Sequence, residues 1–386
     1  MAEELKMDES TPDMRSPPKM RVFITMPTKS VVKSTDRSYL YRSLTRLADA
    51  YPITIVGNDA WVSRLYDDGG YAASRALGLG WQRRTLREHI WTVAPYPRDI
   101  DVAYAYGQFP RMMDVFRGAV EIPTVWQQTF APVALDTNLE TWDRVIVASR
   151  MRAVGVASRI VVPSDISLEH AVRLFPHAAD KLSVLPYYLP GLEPLGDYPL
   201  AAKLEATGKL KVLFVGKEAR RKGLMELVRA WGELAPETRK RMEVTVVSGF
   251  LDGPVRLPSE WHHKPFVQDI YEAMGEAHVL AFPTLRDAYG LVLVEGMARG
   301  VAILTTSALI QRDIVGPDGG VFAIPTDVTA LARAWTVLVH DRARLAAMAH
   351  ANVARFRARF WHRVVGPEHL AVFEAARAGS TRLQTA

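Results

Sequence analysis

An alternation that occurs twice constrains this chain more than any other feature. From residue 20, short runs rich in β-branched and aromatic residues alternate with segments whose apolar residues recur at helical spacing. MRVFITMP (20–27) and ITIVGN (53–58) read as strands, with SYLYRSLTRLADA (38–50) as a helix between them. HIWTVA (89–94), DVAYAYG (101–107), TVWQQTF (124–130) and RIVVPS (159–164) follow as strands, and KLSVLPYYL (181–189) closes the series. WDRVIVASRMRAVGVAS (142–158) and DISLEHAVRLF (165–175) read as helices, the second opened by Asp165 as N-cap. Such alternation builds a parallel sheet covered by helices on both faces.

The texture then changes. PGLEPLGDYPLAAKLEATGK (190–209) is rich in Pro and Gly, shows no strand, and reads as an interdomain linker. A second series starts at KLKVLFVG (209–216) and runs through MEVTVVSG (242–249), VLAFP (279–283), VAILTTS (301–307) and GVFAIP (320–325). Its helices are LMELVRAWGEL (224–234), VQDIYEAMGEA (267–277), the segment after Asp287, and DVTALARAWTVLVHD (327–341). The remaining tail reads as helical, interrupted at Gly366–Pro367. The expected organisation is a disordered tail (1–19), a Rossmann-like domain (20–190), a linker (191–208) and a second Rossmann-like domain (209–355). A C-terminal helix spans 356–386. Two domains of ordinary size are what 386 residues imply.

Composition excludes several classes. There is no cysteine, hence no disulfide, thiolate metal site or cysteine nucleophile. No apolar run approaches the ~18 residues of a membrane span, and the first twenty residues lack a signal core. A cytoplasmic location is expected, with the inner face of the membrane as the variant. The net charge of +6 is mildly basic, and no nucleic-acid motif accompanies it. GWQRRTLREHIW (80–91) combines basic residues with two Trp, a composition suited to peripheral contact with anionic lipid, although a surface helix or loop is the simpler reading.

Two junctions between strand and helix carry the chemistry. In 212-VLFVGKEARRKGLMELVRAW-231 a strand ends at Gly216, and Lys217, Arg220, Arg221 and Lys222 crowd the following loop. Four cations there repel one another unless an anion joins them, and a diphosphate would fit. A solvated basic turn is the bland alternative. In 283-PTLRDAYGLVLVEGMARG-300 the helix begins near Gly290, so the amides of Gly290, Leu291 and Val292 face whatever lies before it. Unpaired amides and the helix dipole suit a phosphate. Glu295 lies about a turn and a half further in and could accept hydrogen bonds from ribose hydroxyls. Asp287 could meet sugar hydroxyls beyond the diphosphate. The bland alternative makes Asp287 a cap and ties Glu295 to a backbone group.

Together the two motifs resemble retaining glycosyltransferases of family 4, whose fold is GT-B, two Rossmann-like domains facing across a cleft. That family carries Gly-Arg, four residues, Lys-Gly; here the stretch is 216-GKEARRKG-223, with Lys217 in the Arg position. It also carries Glu, seven residues, Glu; here Asp287 and Glu295 stand in those places. The resemblance covers roughly 209–341. It implies Lys217 and Lys222 on the donor diphosphate, Glu295 on the ribose, Asp287 on the transferred sugar, and the amides of Gly290 to Val292 on the distal phosphate. It places Phe266 and Val267, in 264-KPFVQD-269, near the nucleotide base, and it implies that the C-terminal helix (356–386) packs back on the first domain. The implied activity is sugar transfer from a nucleoside-diphosphate sugar to an acceptor hydroxyl, with no cofactor and no required metal. Lys217 gives a point charge where Arg gives a fork, and Asp287 is one methylene short of Glu. The loop PTKSVVKSTDRS (27–38) lacks the usual Gly-Gly, and TVWQQTF lacks the His often found near it. Competing readings are another enzyme on the same scaffold, such as a phosphorylase or epimerase, and a non-catalytic nucleotide-sugar-binding or scaffolding protein. Three features read as structural rather than chemical. Asp99-Ile100-Asp101 matches a metal-binding DxD but reads as a loop entering a strand. His262–His263 reads as a loop end, and Ser164–Asp165 as a helix cap.

Overall fold

The computed structural model describes residues 19–24, 35–57, 99–106, 124–127, 154–216, 219–249, 251, 255–285, 287, 289–307, 309–324 and 326–383. Two six-stranded sheets organise them. The first contains β1 (Met20–Ile24), β2 (Ile53–Gly57), β3 (Val102–Tyr106), β4 (Thr124–Gln127), β5 (Arg159–Val162) and β6 (Leu182–Val184) in the order β2-β1-β3-β4-β5-β6. The second contains β7 (Leu210–Val215), β8 (Met242–Val247), β9 (His262–Lys264), β10 (Val279–Phe282), β11 (Ala302–Thr306) and β12 (Gly320–Ala323) in the order β12-β11-β10-β7-β8-β9. The pairings within both sheets are parallel. The second sheet has the doubly wound order in which the first strand lies beside the fourth. Its strand order therefore reverses between β7 and β10.

The apolar strings explain which strands are central. All four residues of β10 and all five of β11 are buried, as helices on both faces of a parallel sheet require. The helices between strands are α1 (Thr35–Ala50), α2 (Asp165–Leu174), α3 (Asp197–Glu205), α4 (Leu224–Glu233), α5 (Pro236–Lys240) and α6 (Ile270–Glu276). They continue with α7 (Leu291–Ala298), α8 (Leu309–Val315), α9 (Val328–His340), α10 (Arg342–Arg359) and α11 (His362–Leu383). One apolar cluster runs from Val22 and Tyr104 in the first sheet through Tyr187 and Phe373 to Leu280 in the second sheet and Leu293 on the helix Leu291–Ala298. Behind the second sheet, Trp231, Trp261 and Trp335 pack edge to face with ring centroids 5.5 to 6.0 Å apart.

One element is added to the expected series and three expectations are corrected in detail. The linker contains a helix, α3, whose Lys203 Nζ donates to the carbonyl of Arg299 at 2.7 Å and of Gly300 at 2.5 Å. Burial pushes that ammonium down to about 7, and the Arg299 charge adds to the shift. The break in the tail falls at Phe360–Trp361, and Pro367 sits inside α11. Ser164, not Asp165, caps α2, accepting from the amide of Ser167 at 3.1 Å, while Asp165 is the first helical residue. His262 and His263 lie in β9 rather than a loop end, because β9 extends the sheet beyond β8. The expected strand at 89–94 and the segments 27–34, 80–91 and 128–150 lie outside the described residues.

Helix α11 lies along the first sheet and carries His369, 2% exposed. The imidazole packs against Tyr104, Tyr188 and Phe373, with centroids 5.5, 6.1 and 4.8 Å away. Burial pushes its pKa down to about 3. The sign follows from proton counts. Between about pH 6.5 and 3 the unfolded chain holds a proton on this ring that the folded chain does not, so stability falls as pH falls. His369 alone then costs about 2 kcal/mol by pH 5. Melting curves from pH 7.5 to 4.5 should show a steep acid loss of stability, and His369→Phe should flatten it; an unchanged slope would reject the assignment.

Candidate active site

The two strand-end motifs meet at the reversal of strand order. Gly216 closes β7, its amide bonded to the carbonyl of Val247 at 3.1 Å. The chain then turns through 219–223 and enters α4 at Gly223. Gly223 has φ 82°, and a Cβ there would lie 2.0 Å from the carbonyl oxygen of Pro283. Glycine is required both for the left-handed backbone and for contact between the two loops. The loop after β10 answers with two donors to one carbonyl. The amide of Leu285 and the hydroxyl of Thr284 both reach the Arg221 oxygen, at 3.0 and 3.4 Å. From β11, Thr305 and Thr306 donate to the carbonyls of Phe282 at 2.7 Å and Thr284 at 3.0 Å. These threonines hold the strand end that presents the loop. The sequence offered only a Thr-Thr pair closing VAILTTS as a signal for them.

Within this frame Lys222 Nζ lies 2.5 Å from Asp287 Oδ2, with side chains 14% and 15% exposed. The lysine stem crosses the bare face of Gly216, where a Cβ would come within 3.0 Å of Lys222 Cγ. Its ammonium sits 5.0 Å from the centroid of the Phe282 ring, within cation–π range. So two residues 65 positions apart in sequence form a part-buried ion pair in the crevice. Removing one partner would strand the other's charge at low exposure.

Helix α7 opens beside the pair. Gly290 is its N-cap, with φ 96° and no side-chain cap bond. Helix α4 likewise starts at a left-handed glycine without a side-chain cap, whereas α2, α6, α9 and α10 are capped by Ser164, Asp269, Asp327 and Asp341. The two helix starts at the crevice therefore lack a side-chain cap, as those of α3 and α5 also do, and in α4 the Leu224 amide is bonded to the Ala219 carbonyl at 2.9 Å; at the start of α7 the dipole favours an anion. Leu291, Val292 and Glu295 are half-buried while Leu293, Val294, Gly296 and Met297 are buried, so Glu295 shares the outward stripe of α7 with the first-turn residues. Phe266, 78% exposed, and the half-buried Val267 follow β9 at the same edge of the sheet. Three strand spacings, about 14 Å, separate β9 from β10. Lys217 lies outside the described residues, and Arg220 and Arg221 are exposed.

The acids of the DxD stretch are elsewhere. Asp101 accepts from the amide of Arg21 at 2.7 Å and Asp99 pairs with the Arg21 guanidinium at 3.1 Å, both at the entrance to β3.

Residues 209–341 match the family model described as glycosyl transferases group 1. O-antigen chain mannosyltransferase B of Escherichia coli is 25% identical over 205 residues, which cover 49% of this chain and 53% of that protein. The chain thus aligns with about half the length of that curated relative. Among solved structures, sucrose-phosphate synthase of Thermosynechococcus elongatus matches with TM-score 0.64 at 16% identity, covering 93% of this chain and 99% of that one. HepE of Anabaena in complex with UDP matches with TM-score 0.64 at 14% identity over 92% and 100%. The α,α-trehalose 6-phosphate synthase of Burkholderia multivorans matches with TM-score 0.66 at 11% identity over 95% and 99%. The chain has the GT-B fold, and its second half carries the sequence pattern of group 1 glycosyltransferases.

Gly223→Ala should cost the protein at least about 2 kcal/mol, because both the backbone and the Pro283 carbonyl oppose it. Gly232→Ala, inside α4 with nothing within 4 Å, should stabilise by about 0.5 kcal/mol instead. Urea melts of the two variants check this, and equal effects would mean the loops are not locked as described.

Proposed function

We propose that the protein is a glycosyltransferase that moves a sugar from a nucleoside-diphosphate sugar to an acceptor hydroxyl with retention of anomeric configuration. The observation that carries the reading is the Lys222–Asp287 pair at the strand-order reversal, beside an uncapped helix start. Open α/β sheets bind ligands at such a crevice. The diphosphate would sit on the α7 amides and compete with Asp287 for Lys222, with Lys217 as a second cation. Glu295 would hold the ribose hydroxyls and Asp287 the transferred sugar. Phe266 and Val267 would border the base.

As the bond between the anomeric carbon and the phosphate oxygen breaks, negative charge grows on the leaving diphosphate. Fixed cations and amides stabilise it without reorganising. The acceptor oxygen bonds to the same face of the anomeric carbon, and its proton passes to the departing phosphate. Leaving-group charge is thereby met by side chains and amides, so this route requires no divalent metal. A solved neighbour that holds UDP, and a curated relative named a mannosyltransferase, support a nucleotide-sugar donor. A cytoplasmic protein acting in polysaccharide or glycolipid assembly fits the same relative. Among the described residues no helix is long and apolar enough to cross a membrane.

Thermal melts against UDP, GDP, ADP and their sugars, with and without magnesium, test the reading. A nucleotide at a hundred times its dissociation constant adds about 2.7 kcal/mol. One nucleotide should stabilise the protein selectively, Glu295→Ala should abolish the shift, and Lys222→Ala should weaken it at least tenfold in affinity. Absence of a shift with any of them would reject the donor site.

A further inference from the structure

Tyr289 lies between Asp287 and Gly290, yet its side chain leaves the crevice. It is 4% exposed, and its ring meets that of Tyr187 edge to face with centroids 4.7 Å apart. Tyr187, 7% exposed, belongs to the segment that leaves β6 and leads out of the first domain. The contact thus joins the donor loop to chain from the other domain.

The same region holds the polar contact between domains. Arg359, on α10, lies 2.6 Å from Asp165 Oδ2 and 3.6 Å from Asp313 Oδ1. Asp165 opens α2 in the first domain, and Asp313 is on α8 in the second. The amide of Asp165 also donates to Asp313 Oδ2 at 3.0 Å, so a helix start of one domain faces a carboxylate of the other. Arg355 holds that carboxylate's own backbone, donating to the carbonyls of Ile314 at 2.7 Å and Asp313 at 2.5 Å. The charges of Arg359, Asp313 and Arg355 all act on the Tyr289 phenol, whose ionisation burial opposes most strongly. Its ring contact with Tyr187 and its burial place Tyr289 in the contact between the domains.

Two residues before Tyr289, Asp287 is tied to Lys222. One residue after Tyr289, Gly290 begins α7. The loop is thus pinned at Asp287 to the crevice and at Tyr289 to the other domain, with consecutive Cα atoms only about 3.8 Å apart. A shift of Tyr187 and Asp165 relative to the second sheet must move Tyr289, and with it the Asp287 carboxylate and the α7 amides. We propose that Tyr289 is a positioning residue that couples occupancy of the donor site to the register of the two domains. The inference rests on the donor-site reading above.

The absence of native cysteine allows a direct test. Glu169 on α2 and Glu237 on α5 have side chains 59% and 81% exposed, one in each domain. The Glu169→Cys/Glu237→Cys protein, labelled with a fluorophore pair, reports interdomain distance by energy transfer. Calorimetry on the same sample gives the dissociation constants of UDP, GDP and ADP. The nucleotide that binds should change the transfer efficiency of the parent. Tyr289→Leu should abolish that change while weakening binding less than tenfold, and Tyr289→Phe, which keeps the ring, should restore it. Arg359→Gln, at a more exposed position, should also abolish the change, and it guards against a Tyr289→Leu protein that does not fold. A parent that binds nucleotide without a change in transfer overturns the coupling and leaves the donor site standing. A response that persists in Tyr289→Leu or in Arg359→Gln also overturns it. A parent that binds none of the three nucleotides overturns the donor reading, and this inference with it.

Discussion

The carbonyl of Arg221 receives the Leu285 amide across the crevice, and the rest of the site depends on that crossing. Loops that leave neighbouring parallel strands ordinarily diverge, because their helices pack on opposite faces at a strand-order reversal. Here Gly223 lies against Pro283 with no room for a side chain, and Thr284 adds its hydroxyl to the same oxygen. The loops stay within reach of each other for several residues beyond the sheet. Only then can Lys222 reach Asp287. Only then do two uncapped helix starts border one crevice, where their dipoles add rather than act on separate surfaces.

Helix α7 is polarised at both ends. Its N-terminus at Gly290 carries no side-chain cap, and its C-terminus closes with the amides of Gly300 and Val301 bonded back to Met297 and Gly296 at 3.1 and 3.2 Å. The carbonyls that remain there receive the Lys203 ammonium from the linker helix, while Leu200 of that helix packs on Gly300. A lysine donor at the C-terminal end follows the macrodipole. The linker is therefore a brace on the helix that carries Glu295, and not only a tether between domains.

What could be read in the sequence was the alternation, and the alternation sufficed for the fold. Strand-helix-strand units cross over with one hand, so two series of them give two doubly wound sheets. The two strand-end motifs were legible because glycine and clustered charge at a helix start have few other uses. The linker helix was hidden by its flanks, since Gly196 and Pro199 mimic loop composition although Pro is tolerated in a first helical turn. The break in the tail was misplaced because Gly366–Pro367 is the stronger local signal. The turn instead forms where the amides of Phe360 and Trp361 share the Phe356 carbonyl and the amides of Val364 and Val365 share that of Trp361. Burial of Phe360, 1% exposed, fixes that corner, and burial is a property of the whole fold. Tyr289 was passed over for the same reason: between Asp287 and Gly290 it reads as a loop residue, and its partner is over a hundred positions away.

The short acid at Asp287 follows from its neighbours. Lys222 is not free to wander, because its stem lies on Gly216 and its ammonium is held over the Phe282 ring. Asp287 comes from a loop drawn toward Lys222 by the Arg221 crossing and fixed from the other side by Tyr289 on Tyr187. At 2.5 Å the aspartate carboxylate already contacts the ammonium. A glutamate there would have to bend away from Lys222 or push its loop off the interdomain contact. The bare face of Gly216, the aromatic floor of Phe282 and the length of Asp287 are thus one matched set, and changing the acid alone sets the crevice against the register of the two domains.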